Sequence, residues 1–171
     1  MERIMRRSGQ LLPETQSIRI LKEGKYAVWA VEGDKGYPYA VPVNYVYAEG
    51  SVYIHCARQG HKIDSIFRNS KCSMCIVEKD DVVPEEFTSY FRSVILFGRA
   101  SVVEDRDERI KALILLSDKY SPGENPSAEI ERFIKAVCIV RIDIDSVTGK
   151  EAIELARMRK TGTREEEHPK E

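Results

Sequence analysis

One run of alternating residues, closed by a tight turn and answered by a second run, constrains this chain more than any other feature. From Tyr39 to Tyr47 the residues Tyr39, Val41, Val43, Tyr45 and Tyr47 occupy every second position and share one face. Ala48-Glu49-Gly50 then turns the chain, and Ser51 to Cys56 (SVYIHC) returns as a hairpin partner. A chain committed to such a hairpin needs further strands to bury its apolar face.

Those strands are present. Tyr26 to Glu32 (YAVWAVE), Lys71 to Glu78, Thr88 to Val103 and Val137 to Ile144 all read as strands, with Gly98 as a bend or bulge in the third of them. Helical patterns are shorter and fewer. Pro13 to Lys22 is stopped by Gly24, and His61 to Asn69 carries Ile63, Ile66 and Phe67 on one stripe. Asp105 caps a longer helix with Glu108 three residues on, and Ile110, Leu113, Ile114 and Tyr120 form its expected buried side. Ser127 to Lys135 is a further short helix. Lys79 to Glu86 reads as an acidic loop, and the first dozen residues as a loose arm. The expected fold class is mainly β (α+β): a six-stranded antiparallel split β-barrel with short covering helices. Residues 1–155 form the expected domain, and 156–171 a charged, frayed tail.

Charge and composition narrow the functional classes. Lys plus Arg number 27 and Asp plus Glu 28, so the net charge is -1, without the positive excess that nucleic-acid binding needs. No apolar run approaches the roughly 20 residues of a membrane helix. The basic start, Met1 to Arg7, has no apolar core behind it, so a cytoplasmic chain is expected. Its four cysteines are then expected to be thiols. Cys72 and Cys75 form a C-x-x-C pair, but three positions apart on a strand they point to opposite faces. No metal site is expected there; a buried thiol packs as a small apolar residue.

Three stretches could carry chemistry. In Ile54 to Lys62 a strand ends, a glycine-bearing loop follows, and a helix opens with a lysine in its first turn. Backbone N–H groups, the positive helix end and Lys62 together suit a phosphate, although a solvated lysine would leave the same pattern. In Tyr39 to Tyr45, Pro42 cannot donate to a ladder. It marks either an ordinary edge or a place where a planar ligand approaches the main chain. In Tyr90 to Ala100, Arg92 and Ser93 interrupt an apolar strand, which simple alternation also explains.

Taken in order, these stretches resemble the flavin-binding split-barrel superfamily of pyridoxamine 5′-phosphate oxidase, and within it the branch of 5-nitroimidazole-resistance-type proteins. The resemblance is carried by Pro38 to Tyr47, Val52 to Ala57, Gly60-His61-Lys62-Ile63-Asp64, Ser93 to Ala100, and Ile142-Asp143 to Thr148-Gly149-Lys150-Glu151-Ala152. It runs over roughly residues 3 to 153. It implies flavin mononucleotide (FMN) bound at a homodimer interface. Lys62 matches the lysine that meets the flavin phosphate, with Cys56 and Ala57 beside it. Pro42, Val43, Asn44 and Tyr45 match the strand along the isoalloxazine ring, and Ser93 and Val94 the strand that closes the ring site or meets the phosphate. His55 matches a histidine near the flavin with a suspected catalytic role. Two departures stand out. The C-terminus is acidic, where pyridoxamine-phosphate oxidases carry arginines for the substrate phosphate, and Cys56 and Ala57 replace the more usual hydroxyl residues.

The resemblance implies an oxidoreductase in which reduced flavin passes electrons to a small electrophile such as a nitro-aromatic, with His55 donating a proton. His61 is read as a helix-start residue without chemistry, and Trp29 and Tyr45 as core or interface residues, Tyr45 with flavin contact as its other reading. Other readings of the same barrel are a flavin-binding redox protein without turnover, a haem or deazaflavin binder, and a structural dimer with a decayed site.

Overall fold

A computed structural model describes residues 4–162 of the chain. Seven strands form one sheet in the order β2-β1-β5-β6-β7-β4-β3. They are β1 (Ala27–Glu32), β2 (Pro38–Val43), β3 (Val46–Ala48), β4 (Ser51–Ala57), β5 (Lys71–Val83), β6 (Thr88–Val102) and β7 (Val137–Glu151). The helices are α1 (Glu14–Glu23), α2 (His61–Arg68), α3 (Arg106–Tyr120), α4 (Ser127–Phe133) and α5 (Ile153–Thr161).

The expected six strands become seven because the Tyr39–Tyr47 run is two strands. β2 pairs antiparallel with β1, with Trp29 opposite Val41, whereas β3 pairs antiparallel with β4, with Val46 opposite Tyr53. The chain changes partner at Asn44-Tyr45. The hydrogen-bonded order also has two ends, at β2 and β3, rather than closing on itself.

The chain divides into two compact units. The first consists of the described parts of Met1–Gly24, Cys75–Ile95 and Val147–Glu171. Here the end of the segment read as a loose arm is docked at Gln10 to Leu12. Leu12 is buried, its N–H donates to the Gly149 carbonyl at 3.1 Å, and Leu11 bridges to Lys150. Gly149 permits this approach, since a Cβ there would collide with Leu12 and Ser17. The acidic loop is also corrected: β5 continues through Lys79–Val83, with Lys79 paired to Asp81 at 3.3 Å, and only Pro84–Glu86 leaves the strand as a 3-10 turn. Lys79 and Asp81 share the strand face that buries Val83, and there they neutralise one another, while Asp80 and Val82 face outward.

The frayed tail expected from residue 156 is instead the body of α5 up to Thr161; residues 163–171 lie outside the described residues. Val83, Tyr90, Ala152 and Leu155 form one apolar cluster, joined by Phe91 and Met158. Glu151, fully buried at the end of β7, lies 2.7 Å from Arg159 and 3.6 Å from Arg92. A buried carboxylate needs such partners, and Arg159 ties α5 to the strand through it. Polar composition hid a helix whose inner face is a few residues wide.

The second unit consists of Lys25–Met74 and Leu96–Ser146. Glu49 and Gly50 close the β3–β4 hairpin with φ of 51° and 82°, the positive-φ pair of a type I′ turn. β4 runs antiparallel to β7, pairing Val52 with Ile142, Ile54 with Val140 and Cys56 with Cys138. Gly98 is a point of close approach rather than a bend: a Cβ there would lie 2.5 Å from the Asp143 carbonyl oxygen. The Asp105 side chain accepts the Glu108 N–H at 2.8 Å and caps α3 as the sequence predicts. The buried side of α3 is shifted, however. Ala112 and Leu116 are buried, while Ile114 is 40% exposed. Ala112 packs with Val103 and Ile139, and its small side chain lets the helix sit close to the strands. No described helix is long and apolar enough to cross a membrane.

Leu155→Ala is expected to destabilise the protein by about 2–5 kcal/mol, the cost of a cavity in a packed cluster. Urea unfolding checks this; an unchanged midpoint would mean that α5 contributes no packing.

Candidate functional site

Where β2 gives way to β3, the backbone loses its ladder and a side chain takes over. The Tyr45 N–H donates to the Tyr120 hydroxyl at 2.9 Å. That hydroxyl lies 2.8 Å from both the Lys25 and Tyr45 carbonyl oxygens, so its one proton is shared between two acceptors. Asn44 adds a bond from Nδ2 to the same Lys25 carbonyl at 3.3 Å. The last residue of α3 thereby holds the Asn44-Tyr45 break in place. The Tyr45 ring is fully buried, and burial, with Tyr120 beside it, pushes its phenol well above the ordinary value. Lys119 Nζ stands over that ring, 4.0 Å from its centroid, and has no hydrogen-bond acceptor among the described residues. Burial brings its ammonium down from 10.5 to about 8.

α3 is fastened to the β4–β7 pair by polar contacts of its first turn. Glu108 accepts from the Tyr53 hydroxyl at 3.0 Å and from Arg141 at 3.1 Å. Arg109 donates to the Val137 carbonyl at 2.9 Å and also to that of Ile134. Between these strands, α3 and α4 is a pocket of about 530 Å³. His55 and Val137 form its strand side, Leu113, Leu116 and Tyr120 come from α3, and Ile130 and Phe133 come from α4. Asn44 enters from the β2–β3 break, and Glu124 and Glu129 contribute carboxylates. The pocket is mostly apolar, with a few polar groups directed into it, as small-molecule sites generally are.

The predicted site residues fall into several places. Asn44 and His55, eleven positions apart in sequence, line the same pocket. Pro42 is exposed on β2 opposite Val28, and Val43 ends that strand half-buried. Tyr45 has its ring in the core and offers only its backbone. Ala57 is exposed at the end of β4. Lys62 stands in the first turn of α2, whose start carries no side-chain cap and is led in by Gly60 at φ 122°. Its charge slightly opposes the rise that burial imposes on the Cys56 thiol. In the first unit, Ser93 is half-buried on β6 and Val94 fully buried beside it.

His61 opens α2, the helix-start position that the sequence reading expects. Its ring stacks on Tyr39 at 4.1 Å and it lies 3.8 Å from Asp34, contacts that anchor α2. All four cysteines are free thiols, and no group of three or more metal-ligating side chains occurs among the described residues. The sequence reading missed Tyr120 as a positioning residue and the whole α3–α4 wall. The only available signal was a tyrosine ending a helix just before Ser121-Pro122-Gly123.

The sequence matches the family described as pyridoxamine 5′-phosphate oxidase over residues 13–151. The chain belongs to that family. Among curated proteins, no sequence matches. The fold is similar to that of a candidate 5-nitroimidazole antibiotic resistance protein from Bacteroides thetaiotaomicron, at 21% identity and TM-score 0.70, covering 82% of this chain and 86% of the other. It is also similar to a FAD-binding protein from Mesorhizobium loti, at 25% identity and TM-score 0.62, covering 84% and 97%. A FAD- and haem-binding protein from Mycobacterium smegmatis matches at 21% identity and TM-score 0.69, covering 82% and 71%.

The buried Lys119 carries a pH dependence. A lysine with a depressed folded pKa penalises the folded state in full below about pH 8, and the penalty fades towards the unfolded value near 10.5. In that window the unfolded chain binds more protons, so stability rises with pH. Wild type is therefore expected to gain on Lys119→Met between about pH 8 and about pH 10. Denaturant titrations of both proteins across that range check it; a constant difference would refute it.

Proposed function

We propose that this protein is a flavin-dependent oxidoreductase that binds FMN as a homodimer and reduces a small electrophile of the nitro-aromatic class. The observation that carries the reading is the meeting of Asn44 and His55 in one apolar pocket, within a chain of the pyridoxamine 5′-phosphate oxidase family. The FAD-binding and nitroimidazole-resistance descriptions of similar folds support it.

A flavin, when bound, supplies the two-electron chemistry; the chain supplies position and protons. Lys62 and the uncapped start of α2 suit a phosphate dianion, since backbone N–H groups and the helix dipole add to the ammonium. Tyr120 and Lys25 hold Asn44 so that its carboxamide oxygen can take a ring N–H. The walls from Leu113, Leu116 and Phe133 exclude water from an aromatic guest. His55 faces that guest and can deliver a proton as charge builds on the acceptor.

FMN titration, followed by absorbance and fluorescence, is expected to show saturable binding. Lys62→Ala is expected to weaken it at least tenfold, about 1.4 kcal/mol. His55→Ala is expected to slow reduction of a 5-nitroimidazole by the flavin-loaded protein about a hundredfold, the general-acid contribution. FAD and deazaflavin titrations decide the cofactor, and a Soret band on adding haem with no flavin retained would overturn the reading. Val28 and Phe97 present apolar surface, at 38% and 55% exposure, that a partner protomer would cover. Light scattering is expected to return twice the chain mass, and a monomer would refute the dimer.

A further inference from the structure

Two of the four thiols stand opposite one another. β4 and β7 pair Cys56 with Cys138, in step with Ile54 and Val140. Directly opposed residues of an antiparallel pair have Cα atoms about 4.5 or 5.5 Å apart, inside the roughly 4.4–6.8 Å that a disulfide spans. The two side chains share one face of the sheet, and each acts on the other's ionisation, which puts the sulfurs side by side. Cys72 and Cys75, by contrast, occupy opposite faces of β5.

The pair is also reachable. Cys138, although only 7% exposed, forms part of the wall of a second pocket of about 340 Å³ that also holds Arg58, Arg109 and Glu104. Arg58 donates to the Lys135 carbonyl at 2.9 Å and Arg109 to that of Val137 at 2.9 Å, so both guanidinium groups are held at the pocket. Two fixed cations against one carboxylate favour an anionic visitor.

We propose that Cys56 and Cys138 are a reversible dithiol–disulfide site, oxidised by a small anionic disulfide that enters the Arg58–Arg109 pocket. Cys138 attacks one sulfur of the incoming disulfide and releases its other half as a thiol. Cys56 then attacks the Cys138 sulfur of the mixed disulfide and releases the second half. One S–S bond breaks and one forms. The protein pair loses two electrons and two protons, and the co-reactant takes up both. Cys138 is the first nucleophile for three reasons. It lines the pocket, Arg58 and Arg109 favour its thiolate, and so does the adjoining Cys56 thiol. Burial opposes ionisation of both, holding Cys56 at about 11, so the bond forms slowly and is not a fast sensor.

The test uses the full chain, reduced and then equilibrated with glutathione disulfide. Denatured thiol titration is expected to fall from four thiols to two, and peptide mapping to return a Cys56–Cys138 link that dithiothreitol opens. Cys56→Ser is expected to stop at a glutathione adduct on Cys138, and Cys138→Ser to form no internal link. Four surviving thiols in wild type, a lasting glutathione adduct, or a link mapping to Cys72 or Cys75 would each overturn the proposal. The wild-type mapping decides the matter even where a variant fails to fold.

Discussion

At the junction of β2 and β3 the hydroxyl of Tyr120 stands in for a missing strand. It accepts the Tyr45 N–H and reaches the carbonyls of Tyr45 and Lys25. A backbone leaving a ladder must place its polar groups elsewhere or bear the cost of desolvating them. Here one side chain from the end of α3 takes on that role, and two consequences follow. The Tyr45 ring can turn into the core, and Asn44 is left at the pocket mouth. The position of a candidate ligand contact is thus set through its neighbour Tyr45 by a residue 75 positions further along the sequence.

The rest of the second unit supports that arrangement. α3 can end at the break only because its body is held to β4 and β7, by apolar contact through Ala112 and by polar contact through Glu108 and Arg109. These polar partners are charged groups meeting hydroxyl, guanidinium or carbonyl, the stronger kind of hydrogen bond. The pocket is the space left between α3, α4 and the strand face, and His55 enters it because alternation along β4 turns Ile54 and Cys56 the other way. That same alternation brings Cys56 opposite Cys138, so one strand presents His55 on one face and a facing thiol on the other.

Much of this could be read in advance, and the misses have physical causes. The hairpin at Glu49-Gly50, the Asp105 cap and the α2 start were legible because each depends on residues within four positions of one another. β5 was shortened in the reading because Lys79–Asp81 are charged, yet Asp80 points to the exposed face and Lys79 and Asp81 pair with each other on the other. α5 was missed because a helix that buries Leu155 and Ala156 and sends its charges outward has a polar average. The Tyr39–Tyr47 run was read as one strand because its periodicity continues through the break. Nothing local distinguishes a strand that changes partner from one that does not.

The sequence by itself determined which segments are extended, where they turn, and that a lysine follows a glycine loop at a helix start. These follow from backbone sterics and side-chain period, which act over a few residues. It also carried the family, in ordered motifs spread from β2 to the end of β7. Only the tertiary structure decided that Asn44 and His55 share a pocket, that Tyr120 secures the break between β2 and β3, and that Cys56 faces Cys138. Each of those is a meeting of segments far apart in the chain. Burial and register bring them together, and neither is encoded in any one window of residues.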